Sequence, residues 1–260
     1  MQEELRRELP LTLALPPCGG ERMVDIDPFI FENNGPRHPY VRPKDAASLV
    51  LVRRDTDAVR VLMGERAKTH VFLPGRFVFP GGRVDPSDMR LTVTSELRPE
   101  VRAKVAAGTS PSRARALALA AIRETFEETA LLIGKRASGL PQTRSPVWRS
   151  FFSEGVAPDL ECLDFIARAI TPPGSPRRFD ARFFMVNAEH IAAARAPETA
   201  SGELLNLVWL TLAEARAAGI LPITQCVLNE VEARLEPGSQ APRPAPFYIP
   251  RRGKAVVKHL

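Results

Sequence analysis

Residues 110 to 134 hold one long helix-forming run, and much of the chain must be arranged around it. Ser110-Pro111 offers an N-cap followed by proline at the first helical position. No further glycine or proline interrupts the run before Gly134, which predicts a helix to about that residue. Its second half, AAIRETFEETALL (120–132), sets Glu124, Glu127, Glu128 and Arg123 on an otherwise apolar, alanine-rich helix. At about 100° per residue the three carboxylates project over one side, with Arg123 at its edge. Like charges this close repel unless something positive joins them. Two readings stay open from these residues alone: a solvated face with an Arg–Glu pair, or a site for a hard dication with oxygen ligands.

The flanking segments predict strands on both sides of that helix. AASLVLVRRD (46–55) and AVRVLMGER (58–66) are β-branched runs joined by a short Asp-Thr-Asp link, a hairpin signal. THVFLPGRFVFPGGRVDPSD reads as a short strand breaking into a Gly-Gly turn, and a helix is expected from Pro99 to about Gly108. Residues 147–168 read as helical, ARFFMVNA and ELLNLVWL as strands, and TLAEARAAG and PITQCVLNEVEARL as helices. The fold class is therefore α/β or α+β, with a mixed sheet. Residues 1–45 read as an irregular segment with turn signals at ENNGP and VRPKD, 46–236 as one domain, and 237–260 as a proline-rich, extended tail.

Composition removes several classes. With 44% hydrophobic and 25% charged residues the chain reads as globular, and no run approaches the roughly 18 to 20 apolar residues of a membrane span. LPLTLALPPC is short, interrupted by prolines and a poor secretory signal. Cys18, Cys162 and Cys226 lie far apart without CxxC spacing, against a disulfide framework or a zinc knuckle. The cytoplasm is the expected location, and KHL is at best a degenerate peroxisomal ending. The sequence pI is about 9.6. Of 36 bases and 30 acids, however, five bases and no acid lie in 237–260, leaving 31 against 30 in the remainder. The basic character belongs mostly to the tail, and without interleaved aromatics it disfavours nucleic acid as the principal partner.

Phe79-Pro80-Gly81-Gly82 follows a strand signal, where glycines let backbone approach other groups closely. Asp85 and Asp88 come directly after. A glycine loop with acids, feeding a helix that carries R-E-x-x-E-E, resembles the Nudix hydrolase box, G-x5-E-x7-R-E-U-x-E-E-x-G-U with U aliphatic. Gly82 takes the first glycine, and Arg123 to Leu131 supply the second half. Asp88 stands where glutamate is usual, Thr125 replaces an aliphatic residue, Ala130 replaces the closing glycine, and 27 residues (89–115) are inserted. That insertion, VFPGG before it, IRETFEE after it, RRFDARFFM and the E-x5-W of Glu203 to Trp209 resemble the peroxisomal-type coenzyme A diphosphatases of the superfamily and their bacterial relatives.

The resemblance implies an α/β/α sandwich with additional helices and hydrolysis of a nucleoside diphosphate linked to another moiety. It implies Mg²⁺ or Mn²⁺ on Glu127 and Glu128, with Glu124 as a further ligand or as the base acting on the attacking water. Arg123 would orient a carboxylate, and Gly82 would add a backbone carbonyl. Glu203 is the candidate base outside the box, ahead of Glu198 and Glu189. Coenzyme A or an acyl-coenzyme A, cleaved to 3′,5′-ADP and phosphopantetheine, is the first substrate. ADP-ribose or NADH is the second, and a nucleotide-binding sensor without catalysis is the reading from another class. Gly75 to Gly82 match the G-x3-FPGG of coenzyme A-specific enzymes, but Val71 stands where arginine is expected, leaving Arg66 or Arg76 as substitutes. The insertion carries six bases against two acids, so Arg98 and Arg102 are candidate phosphate ligands. His70 precedes the box and could meet substrate. Expected partners are a small-molecule nucleotide and a second copy in a homodimer, with no membrane.

Overall fold

The computed structural model describes residues 38–55, 57–67, 75–236, 243–251 and 254–260. Strands β1 (Lys44–Arg54) and β2 (Val59–Arg66) form the expected hairpin, with Val52 opposite Val61. Short strands β3 (Phe77–Val78) and β4 (Gly81–Arg83) pair with β2 and β1 respectively. Then come α1 (Pro86–Arg90), α2 (Pro99–Val105), α3 (Pro111–Thr129) and β5 (Leu131–Arg136). The chain continues through α4 (Pro146–Phe152), β6 (Val156–Pro158), β7 (Asp164–Ile170) and β8 (Phe179–Asn187). Last are β9 (Ile191–Ala194), β10 (Leu204–Thr211), α5 (Leu212–Ala217), α6 (Pro222–Leu235), β11 (Pro246–Arg251) and β12 (Lys254–His259).

The main sheet is mixed and runs β10-β2-β1-β8-β7-β11-β12, with β3 and β4 as side branches. Strand β1, in the interior of the sheet, lies parallel to β8 and antiparallel to β2. It is covered on both faces, which is why LVLV (49–52) is continuously apolar rather than alternating. Ala47, Leu49 and Leu51 join the core around α3, whereas Val50 and Val52 join a second core with Val227, Leu228 and Val231 of α6. Helix, mixed sheet and helix thus form three layers, an α+β arrangement. A small second sheet, β6-β5-β9, continues from the end of α3. No described helix is long and apolar enough to cross a membrane.

Helix α3 begins as its sequence predicts: the Ser110 hydroxyl accepts from the Arg113 N–H at 3.2 Å, and Pro111 opens the first turn. Its alanines at 114, 116, 118, 120 and 121 are wholly buried, so neighbouring elements close on it from several sides. The helix ends at Thr129, short of the Gly134 expected from the sequence. Ala130 takes the left-handed conformation, φ 59°, and its N–H bonds the Phe126 carbonyl. Glycine usually takes that cap, so alanine there costs about 1 kcal/mol. Gly134 serves instead inside β5, where a Cβ would lie 2.1 Å from the Ala157 carbonyl oxygen of β6.

Four other expectations change. Gly81-Gly82 is not a free turn but strand β4, with Gly82 opposite Ala47. Only 147–152 of the 147–168 segment is helical; DFIARAI is strand β7, its β-branched and aromatic residues filling both faces of the sheet. Residues 246–259 are not a loose tail: β11 and β12 form a hairpin, and β11 runs parallel to β7. Lys44 and Asp45, assigned to the irregular segment, already belong to β1. ENNGP, His70, Val71 and Cys18 lie outside the described residues.

Candidate active site

Strand β4 and the second half of α3 face each other, and the carboxylates meet the glycines there. The Gly81 N–H donates to Glu128 Oε2 at 2.8 Å. A Cβ on Gly82 would fall 2.4 Å from the Glu124 carboxyl carbon, and one on Gly81 would fall 2.5 Å from the Ala47 carbonyl oxygen. The two glycines therefore have different duties. Gly81→Ala is expected to push backbone against backbone and to destabilise the fold by about 1–3 kcal/mol. Gly82→Ala meets only the end of a flexible side chain; it should cost under about 1 kcal/mol while displacing Glu124, and added Mg²⁺ is then expected to stabilise this variant less than the wild type. Urea melts with and without Mg²⁺ separate the two effects, and equal responses from both variants would refute the assignment.

Arg123 is the hub. It sends Nε and Nη2 to the two oxygens of Asp88 at 2.9 and 3.0 Å. Nη1 donates to Glu127 Oε1 at 2.7 Å, and Nη2 also donates to the Arg83 carbonyl at 2.8 Å. Nη1 lies 2.9 Å from Glu124 Oε1 as well. Burial works against the guanidinium, but the Asp88 bonds and the Glu124 and Asp88 charges outweigh it and hold the group above its ordinary value.

Asp88 explains its own departure from the box pattern. Its side chain is 0% exposed and accepts from Arg123 twice, from the Trp148 indole at 3.1 Å and from the Asp85 N–H at 2.8 Å. Asp85 in turn caps α1 by accepting from the Ser87 N–H. The shorter acid is an anchor, tied to the aromatic packing of Trp148, Phe151 and Phe126. Thr125 is also accommodated: buried among apolar groups, it donates its hydroxyl to the Ala121 carbonyl at 2.7 Å.

Two of the carboxylates are short of positive charge. Burial pushes the Glu128 carboxyl up to about 8, against the Gly81 bond, and the neighbouring Glu124 and Glu203 charges raise it further. Burial likewise pushes Glu124 up to about 7, partly offset by Arg123 and reinforced by Glu127. A set of hard oxygen donors that is crowded, buried and reluctant to ionise suits a dication of the Mg²⁺ or Mn²⁺ type.

A cavity of about 980 Å³ opens over these groups, lined among others by Arg66, Gly82, Arg123, Glu124, Glu127 and Glu203. Glu128 sits one layer deeper, under Gly81. The loop bearing Glu203 is fixed to the helix, because the Ser201 N–H bonds the Glu127 carbonyl at 2.7 Å.

No family model matches the chain. A Caenorhabditis elegans protein whose name places it among the nudix hydrolases is 30% identical over 154 residues, covering 55% of this chain and 44% of its own. Over that stretch the chain is similar to a nudix hydrolase. It spans less than half the length of that curated relative. Among solved structures, a NUDIX hydrolase from Alicyclobacillus acidocaldarius is 27% identical with a TM-score of 0.49, over 73% of this chain and 96% of its own. The NUDIX domain of Shewanella oneidensis NrtR, solved with ADP ribose, is 13% identical with a TM-score of 0.43, over 75% and 90%. A Caenorhabditis elegans Ap4A hydrolase is 18% identical with a TM-score of 0.39, over 74% and 98%.

The glycine strand, Asp88 and the R-E-x-x-E-E residues of α3 come together, and some candidates outside them do not. Arg66 and Glu203 line the cavity. Arg76 is exposed and donates to the Gly219 carbonyl at 2.8 Å. Arg98 pairs with Asp164 and Glu100 and lines a different cavity. Arg102 is exposed on α2. Glu189 and Glu198 sit on separate 3-10 turns, Ala188–His190 and Pro197–Thr199. The cavity cations that sequence reasoning missed are Lys44, Arg83 and Arg177; the cavity is also lined by two of the six inserted bases, Arg90 and Arg113. The insertion's basic charge signalled the last two, but its helical periodicity did not say which bases would face inward.

Proposed function

We propose that this chain is a Nudix hydrolase that cleaves a nucleoside diphosphate linked to another moiety, with coenzyme A or an acyl-coenzyme A as substrate. The observation that supports it is the Arg123 hub, which holds Asp88, Glu124 and Glu127 in one network beside the Gly81–Glu128 bond at the foot of a cation-lined cavity. Glu124, Glu127, Glu128 and the Gly82 carbonyl would hold Mg²⁺ or Mn²⁺. The ion would neutralise the diphosphate and make the attacking water more acidic.

The chain's own residues divide the remaining work. Arg123 pairs with Glu127 and Glu124 and holds both aimed. The Gly81 N–H fixes one oxygen of Glu128, and the other would serve the ion. Glu203, at the cavity wall, accepts the proton of the water that adds to phosphorus as the P–O–P bridge breaks. Arg66, with Arg90 and Arg113, offers positive charge to the substrate's phosphates.

The test is product analysis with Mg²⁺ or Mn²⁺ and, separately, coenzyme A, an acyl-coenzyme A, ADP-ribose and NADH. Phosphopantetheine and 3′,5′-ADP from coenzyme A, absent with Glu128→Gln, is the expected result. AMP from ADP-ribose or NADH instead would replace the substrate. Binding of the panel without turnover would replace catalysis by nucleotide sensing.

A further inference from the structure

Among the described residues, one cluster brings three different metal-ligand side chains together, and it lies outside the Nudix box. Asp159, Cys162 and His190 each offer a donor atom, and these atoms lie within 4.8 Å of one another. Asp159 and Cys162 sit on the turn between β6 and β7, and His190 ends the 3-10 turn Ala188–His190 after β8. All three line a cavity of about 550 Å³.

We propose that Asp159, Cys162 and His190 form a second metal site, selective for a borderline divalent ion of the zinc class. The donor set decides the class. One carboxylate, one sulfur and one imidazole match zinc or cobalt, whereas the box presents oxygens alone and suits magnesium. Three protein ligands leave one tetrahedral position for water or for another donor.

The surroundings resemble the outer support of a metal site. Asp159 Oδ1 accepts from Ser95 Oγ at 2.9 Å and from the Glu161 N–H at 3.2 Å, which fixes the carboxylate plane. Oδ2 is shut off from solvent, makes no aligned hydrogen bond, and is met by the Lys135 ammonium at 2.9 Å. Lys135 is 62% exposed, so it can swing out as an ion enters. Cys162 donates its thiol proton to the Asp159 carbonyl at 3.0 Å. That proton passes to solvent when sulfur binds the ion. Burial and the Asp159 charge push the free thiol up to about 12, which leaves it a poor nucleophile and a poor redox centre.

The site would brace elements that the β7–β8 ladder, with Asp164 opposite Met185, already brings side by side. It ties the β6–β7 turn to the end of β8. Through Ser95, which also accepts from the Leu160 N–H at 2.7 Å, it ties in the segment inserted in the box.

The experiment is a Co²⁺ titration of chelator-stripped full chain in excess Mg²⁺, read by absorbance. A thiolate-to-cobalt charge-transfer band is expected, lost in Cys162→Ser, retained in Glu128→Gln, and weakened on the order of tenfold or more in affinity in His190→Ala. Thermal melts of the stripped variants establish that each is folded. Lys135→Met should tighten binding. Absence of the band, or its survival in Cys162→Ser, would overturn the proposal whatever the fate of the hydrolase reading.

Discussion

Replacing Glu128 with glutamine is expected to lower kcat/KM by about a thousandfold and to leave the fold intact. Glutamine keeps an oxygen for the Gly81 N–H, so the α3–β4 contact survives. It removes the negative charge that a dication needs. The same substitution has a signature in stability. With a folded-state value of about 8 against the ordinary 4.5, Glu128 is protonated in the folded, metal-free protein at pH 6 and charged in the unfolded chain. Folding then takes up a proton. This contribution to stability is complete below about pH 4.5 and is lost as pH rises through about 8. Glu124, at about 7, has the same sign over a slightly lower window. The metal-free wild type should therefore melt lower at pH 9 than the Glu128→Gln variant, and no such gap should exist at pH 4. Added Mg²⁺ should stabilise the wild type more at pH 9 than at pH 6 and the variant hardly at all. A variant that melts like the wild type at pH 9 and responds equally to Mg²⁺ would refute a buried, ion-seeking carboxylate at this position.

Arg123→Met should be the most damaging substitution for the fold itself, costing about 3–5 kcal/mol. It strands Asp88, whose side chain is 0% exposed, with only the Trp148 indole and the Asp85 N–H as donors. It also frees Glu124 and Glu127 to repel each other. Arg123→Lys keeps the charge but not the planar fork that reaches both Asp88 oxygens, so it should recover only part of the loss. Urea denaturation decides the matter. A loss below about 1 kcal/mol for Arg123→Met would mean that the hub is a surface network in energetic terms.

Box residues were legible because their arrangement is local. Helical geometry alone puts Glu124, Glu127 and Glu128 on one side of α3, and Arg123 reaches Glu127 at i, i+4. The caps were legible for the same reason: Ser110 and Pro111 act on their own turn. What sequence did not reveal depends on distant partners. Whether Arg98 or Arg113 meets the cavity depends on where Asp164 and Asp45 sit, since each arginine pairs with one of these acids. DFIARAI looks helical by spacing, yet β8 on one side and β11 on the other make it a strand. Asp159 and Cys162 carried a weak local signal, an acid and a thiol three residues apart, but His190 joins them only through the fold.

Parallel pairing in the main sheet bears on how a ribosome can deliver this chain. Lys44 lies beside Phe179, and Phe247 lies beside Arg168, so each pairing closes only after a long stretch has been synthesised. Such non-local contacts form slowly. Once β8 has emerged and docked on β1, the outer edge of β7 stays bare until β11 and β12 follow it out of the exit tunnel. Bare strand edges recruit other chains. The interval between those two arrivals is the stage of synthesis at which nascent copies are most prone to stick to one another, and holdase chaperones have the most to protect there.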